Sequence, residues 1–459
     1  MAQRAGIVAG VVVAIIVVAA AAMLLGGGGK TTPATIASPT SPSSPTASPT
    51  TVASPTATAT AKTKTVQATA TPAAGGLRGE IKIGALLPLT GDLASYGENS
   101  KKALELAERD INKFLEKAGA GFRIKIVVED TETKPEVCLN KLQALAAQGI
   151  KIFIGPMTSA EVKQIKSYAD NNKLLIISQS STAPSLAIPG DYVYRFCPTD
   201  RIQGPVIAKL AKAYGLKAIV IMWRGDAWGD GLHDAVKEAA QKLGIEVIDG
   251  PRYDPKAKEF TNEVDKLASQ VKQLVGKYGA DKVGVVYIGF NEVVQVFSTA
   301  SQYDVLKQVR WFGSDGTALL DELLKDPAAA EFGVKVKFLN PIFAATKSQK
   351  NEKIVSELKK ELGREPDTYA LAAYDAAWVV TLSLLATQKY DATAVKNILS
   401  DVAYNYFGAT GWVVLDKAGD RAFADYDLWV PVKEGGKYKW KLAGVYQYAS
   451  DSFNWVFKP

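Results

Sequence analysis

From Glu80 onward the chain alternates short apolar runs with longer amphipathic stretches, and that alternation decides its fold class. "IKIGALLPL" reads as a buried strand. Lys101–Lys117 follows as a helix with Leu104, Ala107, Ile111, Phe114 and Leu115 on one face. "FRIKIVVED" is the next strand and Pro135–Gln148 the next helix, stopped by Gly149. "IKIFIG", Ala160–Asn171 and "LLIIS" continue the pattern. After Asp200 it restarts: "KAIVIMW" into Asp230–Leu243, "IEVI" into Thr261–Tyr278, "KVGVVYIG" into Glu292–Tyr303, then "QVRWFG". Strands that are apolar throughout and separated by helices build parallel sheets covered on both faces. Two successive runs predict two similar α/β lobes.

With 459 residues the chain is too long for one core. Its net charge of +7 is spread along helices beside Glu and Asp. No basic block with interleaved aromatics supports nucleic-acid binding. A mildly basic surface near an anionic membrane is the simpler reading. The single histidine, His233, excludes any site with two His ligands. It sits in "GDGLHDAVKEAA", a helix with Leu232, Val236 and Ala239 or Ala240 on the buried stripe, and is expected on the surface rather than in a catalytic triad. The two cysteines, Cys138 and Cys197, are far apart. A disulfide outside the cell and two buried free thiols both remain open. The acidic residues show no ligand-spaced cluster, so neither metal nor cofactor is expected. There is no G-x-G-x-x-G after a strand, no P-loop and no G-x-S-x-G elbow, which counts against an enzyme.

Ahead of the folded part, residues 5–25, "AGIVAGVVVAIIVVAAAAMLL", carry no charge. About twenty apolar residues span a bilayer. A secretory signal usually has a shorter apolar core. A retained anchor, with Arg4 on the cytoplasmic side, is therefore the expectation over a cleaved signal. The following segment is almost entirely Thr, Ser, Pro and Ala and cannot bury enough surface to fold. It is expected to be a stalk, of a composition that suits O-glycosylation. Its reach at full extension is about 140 Å, at ~3.1 Å per residue.

Ligands of open parallel sheets bind beyond the carboxyl ends of the strands. Two strands of the first run empty into uncharged hydroxyl patches: "MTS" at 157–159 and "SQSST" at 178–182. "PLTGDLASYGENS" adds Tyr96. Each hydroxyl taken alone is more often a helix cap than a ligand contact. Together with the free N–H groups of helix starts, and no cation, they suit a carboxylate. The second run supplies Trp228 in "RGDAWGDG", Phe290 in "GFNE" and Asp315 in "GSDGTAL". Aromatics suit an apolar body, and Asp315 suits an ammonium. A molecule carrying both a carboxylate and an ammonium is a free amino acid.

The ordered set "IKIGALLPLTGDLASYGENSKKALELAERDIN", "IGPMTSAEV", "LIISQSSTAPSL", "YVYRFCPTDRIQG", "GDAWGDGLHDAVKEAAQKLG", "VYIGFNEV" and "WFGSDG" resembles the branched-chain amino acid (Leu/Ile/Val-binding) substrate-binding proteins of ABC importers. The resemblance runs from Glu80 to the C-terminus. It implies a periplasmic-binding-protein type I fold of two lobes, each a mainly parallel sheet flanked by helices, with three interlobe crossings and ligand in the cleft. It places Ser159, Ser180 and Thr182 at the family's carboxylate and amino-group contacts, Asp315 at its acidic residue, and Tyr96, Trp228 and Phe290 at its aromatic positions. Met157 offers a pliable wall. Trp228 and Phe290 stand where Tyr is common, and Asp315 is one methylene shorter than Glu. A bulkier apolar or aromatic amino acid, or an amide- or urea-type ligand, therefore stays open beside Leu, Ile and Val.

The expected organisation is a membrane segment at 1–29, a stalk at 30–79, lobe 1 from 80–199 with 340–412, and lobe 2 from 200–339 with 413–459. The implied partners are the small-molecule ligand, ABC permease subunits and the membrane, at an extracytoplasmic, tethered location. A sensor domain can share this fold. The only apolar span read from the sequence is N-terminal, with no signalling domain beside it, which favours the importer component.

Overall fold

The computed structural model describes residues 76–459; the expected membrane segment and nearly all of the stalk lie outside them. The described chain opens with β1 (Gly79–Leu87), α1 (Ala94–Lys117), β2 (Phe122–Asp130), α2 (Pro135–Ala147), β3 (Ile152–Ile154), α3 (Ser159–Asn172), β4 (Leu175–Ser178) and β5 (Val193–Pro198). A second run follows: α4 (Asp200–Ala213), β6 (Ala218–Arg224), α5 (Ala227–Lys242), β7 (Glu246–Tyr253), α6 (Thr261–Tyr278), β8 (Val283–Ile288), α7 (Val293–Ala300), α8 (Asp304–Gln308) and β9 (Arg310–Phe312). Next come α9 (Asp321–Lys325), α10 (Pro327–Lys335), β10 (Asn340–Phe343), α11 (Gln349–Leu362), α12 (Thr368–Thr387) and α13 (Ala392–Tyr404). The chain ends in β11 (Phe407–Gly408), β12 (Gly411–Trp412), β13 (Asp420–Arg421), β14 (Tyr426–Glu434), β15 (Lys437–Gln447) and β16 (Ser452–Trp455).

The first sheet has the order β13-β5-β4-β3-β1-β2 and all its pairings are parallel. The second, β7-β6-β8-β9, is parallel too. Every residue of β3, β4, β6 and β8 is buried, as expected of strands covered on both faces. A third sheet, β10-β14-β15-β16, is antiparallel and meets the second through a bridge between Phe312 and Leu339. Its long hairpin turns at Gly435 and Gly436, both at positive φ, the backbone that a tight hairpin turn of matching twist requires.

Two expectations need correction. Lobe 2 was to begin again at 413, yet β13 pairs with β5 in the first sheet, because Asp420 forms a bidentate ion pair with Arg195 inside it. And the N-terminal segment is not the only apolar span. Helix α12, 20 residues, is long and apolar enough to cross a bilayer, but most of it is buried inside the fold. It is apolar all round because it is covered on every side. Asn99 of α1 donates to Asp367, which caps α12, and Tyr374 of α12 donates to Asp110 of α1.

Candidate functional site

Each half positions its cleft residues by the same device. In the first, the Asp130 carboxylate at the end of β2 accepts from Leu89 N (2.9 Å) and Thr90 Oγ1 (2.7 Å), fixing the loop after β1. Those bonds hold the Asp130 carboxyl below its ordinary range, against its partial burial. Helix α1 then starts so close to that loop that a Cβ on Gly97 would lie 1.9 Å from the Pro88 carbonyl oxygen. Tyr96, the residue before it, is thereby turned into the cleft. In the second half, Asp226 caps α5 by accepting from Trp228 N (3.0 Å) and Gly229 N (2.9 Å). A Cβ on Gly229 would lie 1.9 Å from the Arg224 carbonyl oxygen, and here Trp228 is the residue turned inward.

The hydroxyl patches are knitted to one another. Thr158 and Glu161 form a reciprocal cap at the start of α3: Thr158 Oγ1 accepts from Glu161 N (3.1 Å), and Glu161 Oε2 accepts from Thr158 N (2.9 Å). Ser178 Oγ donates to Pro156 O (2.6 Å) and accepts from Ser181 N (3.0 Å). Ser180 Oγ donates to Met157 O (2.8 Å). Ser159 Oγ bonds Ser181 Oγ (3.0 Å) and accepts from Ala183 N (3.1 Å). Arg195, fully buried, donates to the carbonyls of Ser181 (3.2 Å) and Ala183 (2.7 Å) while held by Asp420 (2.6 and 2.5 Å). The N–H groups of Ser159 and Ala160 belong to the first turn of α3 and have no intrahelical acceptor.

The second half is built differently. Trp228 and Phe290 stack with ring centroids 4.7 Å apart and planes 15° apart. Gly316 lets them close against the turn that carries Asp315, since a Cβ there would lie 2.8 Å from each ring. Asp315 N donates to Gln203 Oε1 (2.9 Å), and Asp315 Oδ2 accepts from Tyr369 Oη (2.5 Å). Asp315 Oδ1 is buried with no hydrogen-bond partner in the protein. Burial pushes the Asp315 carboxyl up to about 6, against the hydrogen bond from Tyr369. Across the cleft, Tyr96 Oη reaches the carbonyls of Asp315 (3.0 Å) and Ala318, tying the halves together.

Seven of the eight residues expected at the site line one cleft: Tyr96, Met157, Ser159, Ser180, Trp228, Phe290 and Asp315. The void between them is about 330 Å³, counted as all atom-free space out to its mouth. Thr182 does not line it. Its hydroxyl donates to Asp200 Oδ2 (3.0 Å), whose Oδ1 accepts from Gln203 (3.0 Å), so Thr182 stands behind the site at the end of a chain leading to Asp315. Burial, and then the neighbouring Asp315, push the Asp200 carboxyl well up.

Thr158, of the 157–159 hydroxyl patch, also lines the cleft, as do Leu93, Gly316 and Tyr369, which the sequence does not single out. Gly316 is next to Asp315, and Leu93 lies in the loop that leads to Tyr96. Tyr369 comes from the start of α12, where Asp367 caps the helix; only that capping pattern in "PDTYAL" marks it in the sequence.

His233 is the clearest misplacement. It is buried, not on the surface, with its ring stacked on Trp223 (centroids 3.9 Å apart) and its nitrogens against Asp234 (2.9 Å) and Asp249 (3.0 Å). The flat imidazole covers the indole of β6, a packing role that helical periodicity does not reveal. Cys138 and Cys197 are both buried free thiols. Among the described residues no cluster of His, Cys, Asp and Glu could hold a metal ion.

The family model described as periplasmic binding protein matches residues 80–434. An uncharacterised protein of Methanocaldococcus jannaschii is 38% identical over 407 residues, which cover 85% of this chain and 95% of the relative. In fold, the chain is similar to the branched-chain amino acid transporter substrate-binding protein LivJ of Streptococcus pneumoniae in complex with isoleucine (TM-score 0.65, 20% identity, 79% of this chain and 99% of that one). It is similar to an ABC transporter solute-binding protein of R. palustris in complex with benzoate (TM-score 0.64, 18% identity, 83% of this chain and 98% of that one).

Proposed function

Because this chain belongs to the periplasmic binding protein family, in its branched-chain amino acid type, we propose that its cleft captures a free amino acid with an apolar or aromatic side chain. The chain is an extracytoplasmic solute-binding protein of the ABC-transporter kind, working with a membrane permease, and not an enzyme.

One observation carries the choice of ligand: the buried, unpartnered Oδ1 of Asp315. A buried carboxylate without a full set of partners is costly, and an ammonium placed against it removes that cost. A benzoate carries no ammonium, and its own negative charge would face Asp315. The amino acid reading is therefore favoured over an aromatic acid. The ligand carboxylate is assigned to the free N–H groups at the start of α3, where the helix dipole favours an anion. The side chain is assigned to the wall of Leu93, Met157, Trp228 and Phe290. The narrow void means that ligand enters when the halves part and is enclosed when they meet, by differential affinity for the two arrangements. Residues 5–25 are proposed as a retained membrane anchor and the Thr/Ser/Pro-rich stretch after them as its stalk.

The test is calorimetry on residues 77–459, unfolded and refolded to strip bound ligand, against the free amino acids, simple amides and benzoate. One chemical group of amino acids should bind saturably. Asp315→Ala should weaken it by at least about 30-fold, corresponding to about 2 kcal/mol or more for a desolvated charge pair. Binding of benzoate or amides, with no heat from any amino acid, would overturn the assignment and leave the fold untouched.

A further inference from the structure

Arg224, the last residue of β6, lies just outside the ligand cleft and is almost fully buried. Its Nε donates to Asp226 Oδ2 (2.7 Å) and its Nη1 to Glu292 Oε1 (2.9 Å), both on its own half. The same Nη1 donates to Asp92 Oδ2 (3.1 Å), which belongs to the loop between β1 and α1 on the other half. Its guanidinium carbon is 4.6 Å from the centre of the Phe290 ring, so it backs the aromatic stack of the cleft. When the halves meet, Asp92 on one side therefore faces Asp226 and Glu292 on the other. Three carboxylates would repel across a poorly hydrated gap. Arg224 is the cation that binds all three.

We propose that Arg224 is a positioning residue for closure, a buried guanidinium that bridges two acidic rims and without which they oppose each other. Arginine suits the place because its planar fork binds several carboxylates in fixed directions, which a lysine point charge does not. Glu292 also accepts from Tyr253 Oη (2.9 Å), and Asp226 is offset by the N-terminus of α5 that it caps, so both acids are held in place whether or not the halves touch. Asp92 is the member that arrives and departs. Its side chain is about a third exposed, which limits what this one contact contributes.

This inference rests on the capture-by-closure reading, so the test reads closure separately from ligand. Dyes on Lys163→Cys of α3 and Lys272→Cys of α6, both exposed positions, report the distance between the halves in the full chain, with and without amino acids. Asp92→Asn alone should lower the closed population and speed ligand dissociation by about 2- to 5-fold, as for a partly exposed pair. Arg224→Gln should shift the distance to the open value and weaken binding at least about 10-fold. The decisive result is the double variant: adding Asp92→Asn to Arg224→Gln should partly restore closure, because it removes one of the repelling acids. A merely structural role for Arg224 predicts no such reversal of sign. Should Arg224→Gln fail to fold, Arg224→Lys replaces it, with the same reversal expected and a smaller loss. Unchanged distances in Asp92→Asn, or a double variant no better than the Arg224 variant, would overturn the proposal. The distance readout without ligand stands even where no amino acid binds.

Discussion

The two walls of the cleft both carry polar groups and use them in opposite ways. On the first wall the hydroxyls of Thr158, Ser159, Ser178 and Ser180 are consumed by one another and by nearby backbone. On the second, Asp315 keeps one oxygen buried and unpartnered while its neighbours Trp228 and Phe290 stack. The first wall is therefore a stiff frame that offers backbone N–H groups, and the second holds an unmet electrostatic demand. A polar residue type alone does not say which role it fills. What matters is whether its hydrogen-bonding capacity is already used.

The largest expected effect breaks the frame. Arg195→Met leaves Asp420 buried without its partner and frees the carbonyls of Ser181 and Ala183. Even with the pair intact, burial pushes the Asp420 carboxyl above its ordinary value, which shows how little slack the site has. Removing one member of a buried pair typically costs about 3–5 kcal/mol. Urea unfolding should show a loss of that size. A loss under about 1 kcal/mol would mean that the hydroxyl network alone holds the 178–183 loop.

The second prediction sharpens the contrast by setting stability against binding at Asp315. Its carboxyl is pushed from the ordinary 3.8 to about 6, chiefly by burial. The folded state therefore keeps that proton to higher pH than the unfolded state does. Its contribution to stability is fully present below about pH 4 and is lost as pH rises toward about 6, a change on the order of 3 kcal/mol. Asp367 and Asp427, also pushed to about 6, tilt the curve the same way. The diagnostic is thus the difference between Asp315→Asn and the parent. The variant should gain about 1–3 kcal/mol at pH 7–8 and nothing near pH 4, because the amide carries no charge to bury. Amino acid affinity of the parent should move the other way, weakening as pH falls below about 6 and the carboxylate is protonated. Parallel stability curves for variant and parent would show that Asp315 is solvated after all.

Much of this was legible in the sequence, and the failures share a cause. Local periodicity is readable without tertiary context, so β2, an alternating edge strand, and α6, an amphipathic helix, match the bounds that the sequence predicts. The starts of α1 and α5 were set too late, at 101 and 230 instead of 94 and 227. In both, a Tyr-Gly or Trp-Gly pair was read as loop. The glycine is helical, and lies there because the backbone ahead of it passes where a Cβ would be. The same close approach aims Tyr96 and Trp228. Tyr369 was missed because it reaches Asp315 only after the chain crosses between the halves, and Arg195 because a buried arginine inside the strand "VYRFCP" looks like any edge residue until its partner, 225 positions on, is known. Thr182 stands behind the cleft instead of on its lining for the converse reason: its hydroxyl serves Asp200, a partner that no spacing in "SQSST" suggests.

The smallest expected effect is the most exacting test of the comparison. Ser180 lies in the cleft, and resemblance places it at a ligand contact, yet its hydroxyl already donates to Met157 O. If the first wall is frame, Ser180→Ala loses one partly exposed neutral hydrogen bond. Stability should then fall by about 0.5–1 kcal/mol, and affinity by no more than the loosening of Met157 transmits, roughly 2- to 3-fold. A direct contact to a ligand carboxylate is charge-assisted and would be lost at about 1.5–3 kcal/mol, more than tenfold in affinity, with little change in stability. Measuring both quantities on the one variant separates the two. A large loss of affinity at unchanged stability would mean that Ser180 turns from Met157 to the ligand on binding, and that the first wall, too, holds capacity in reserve.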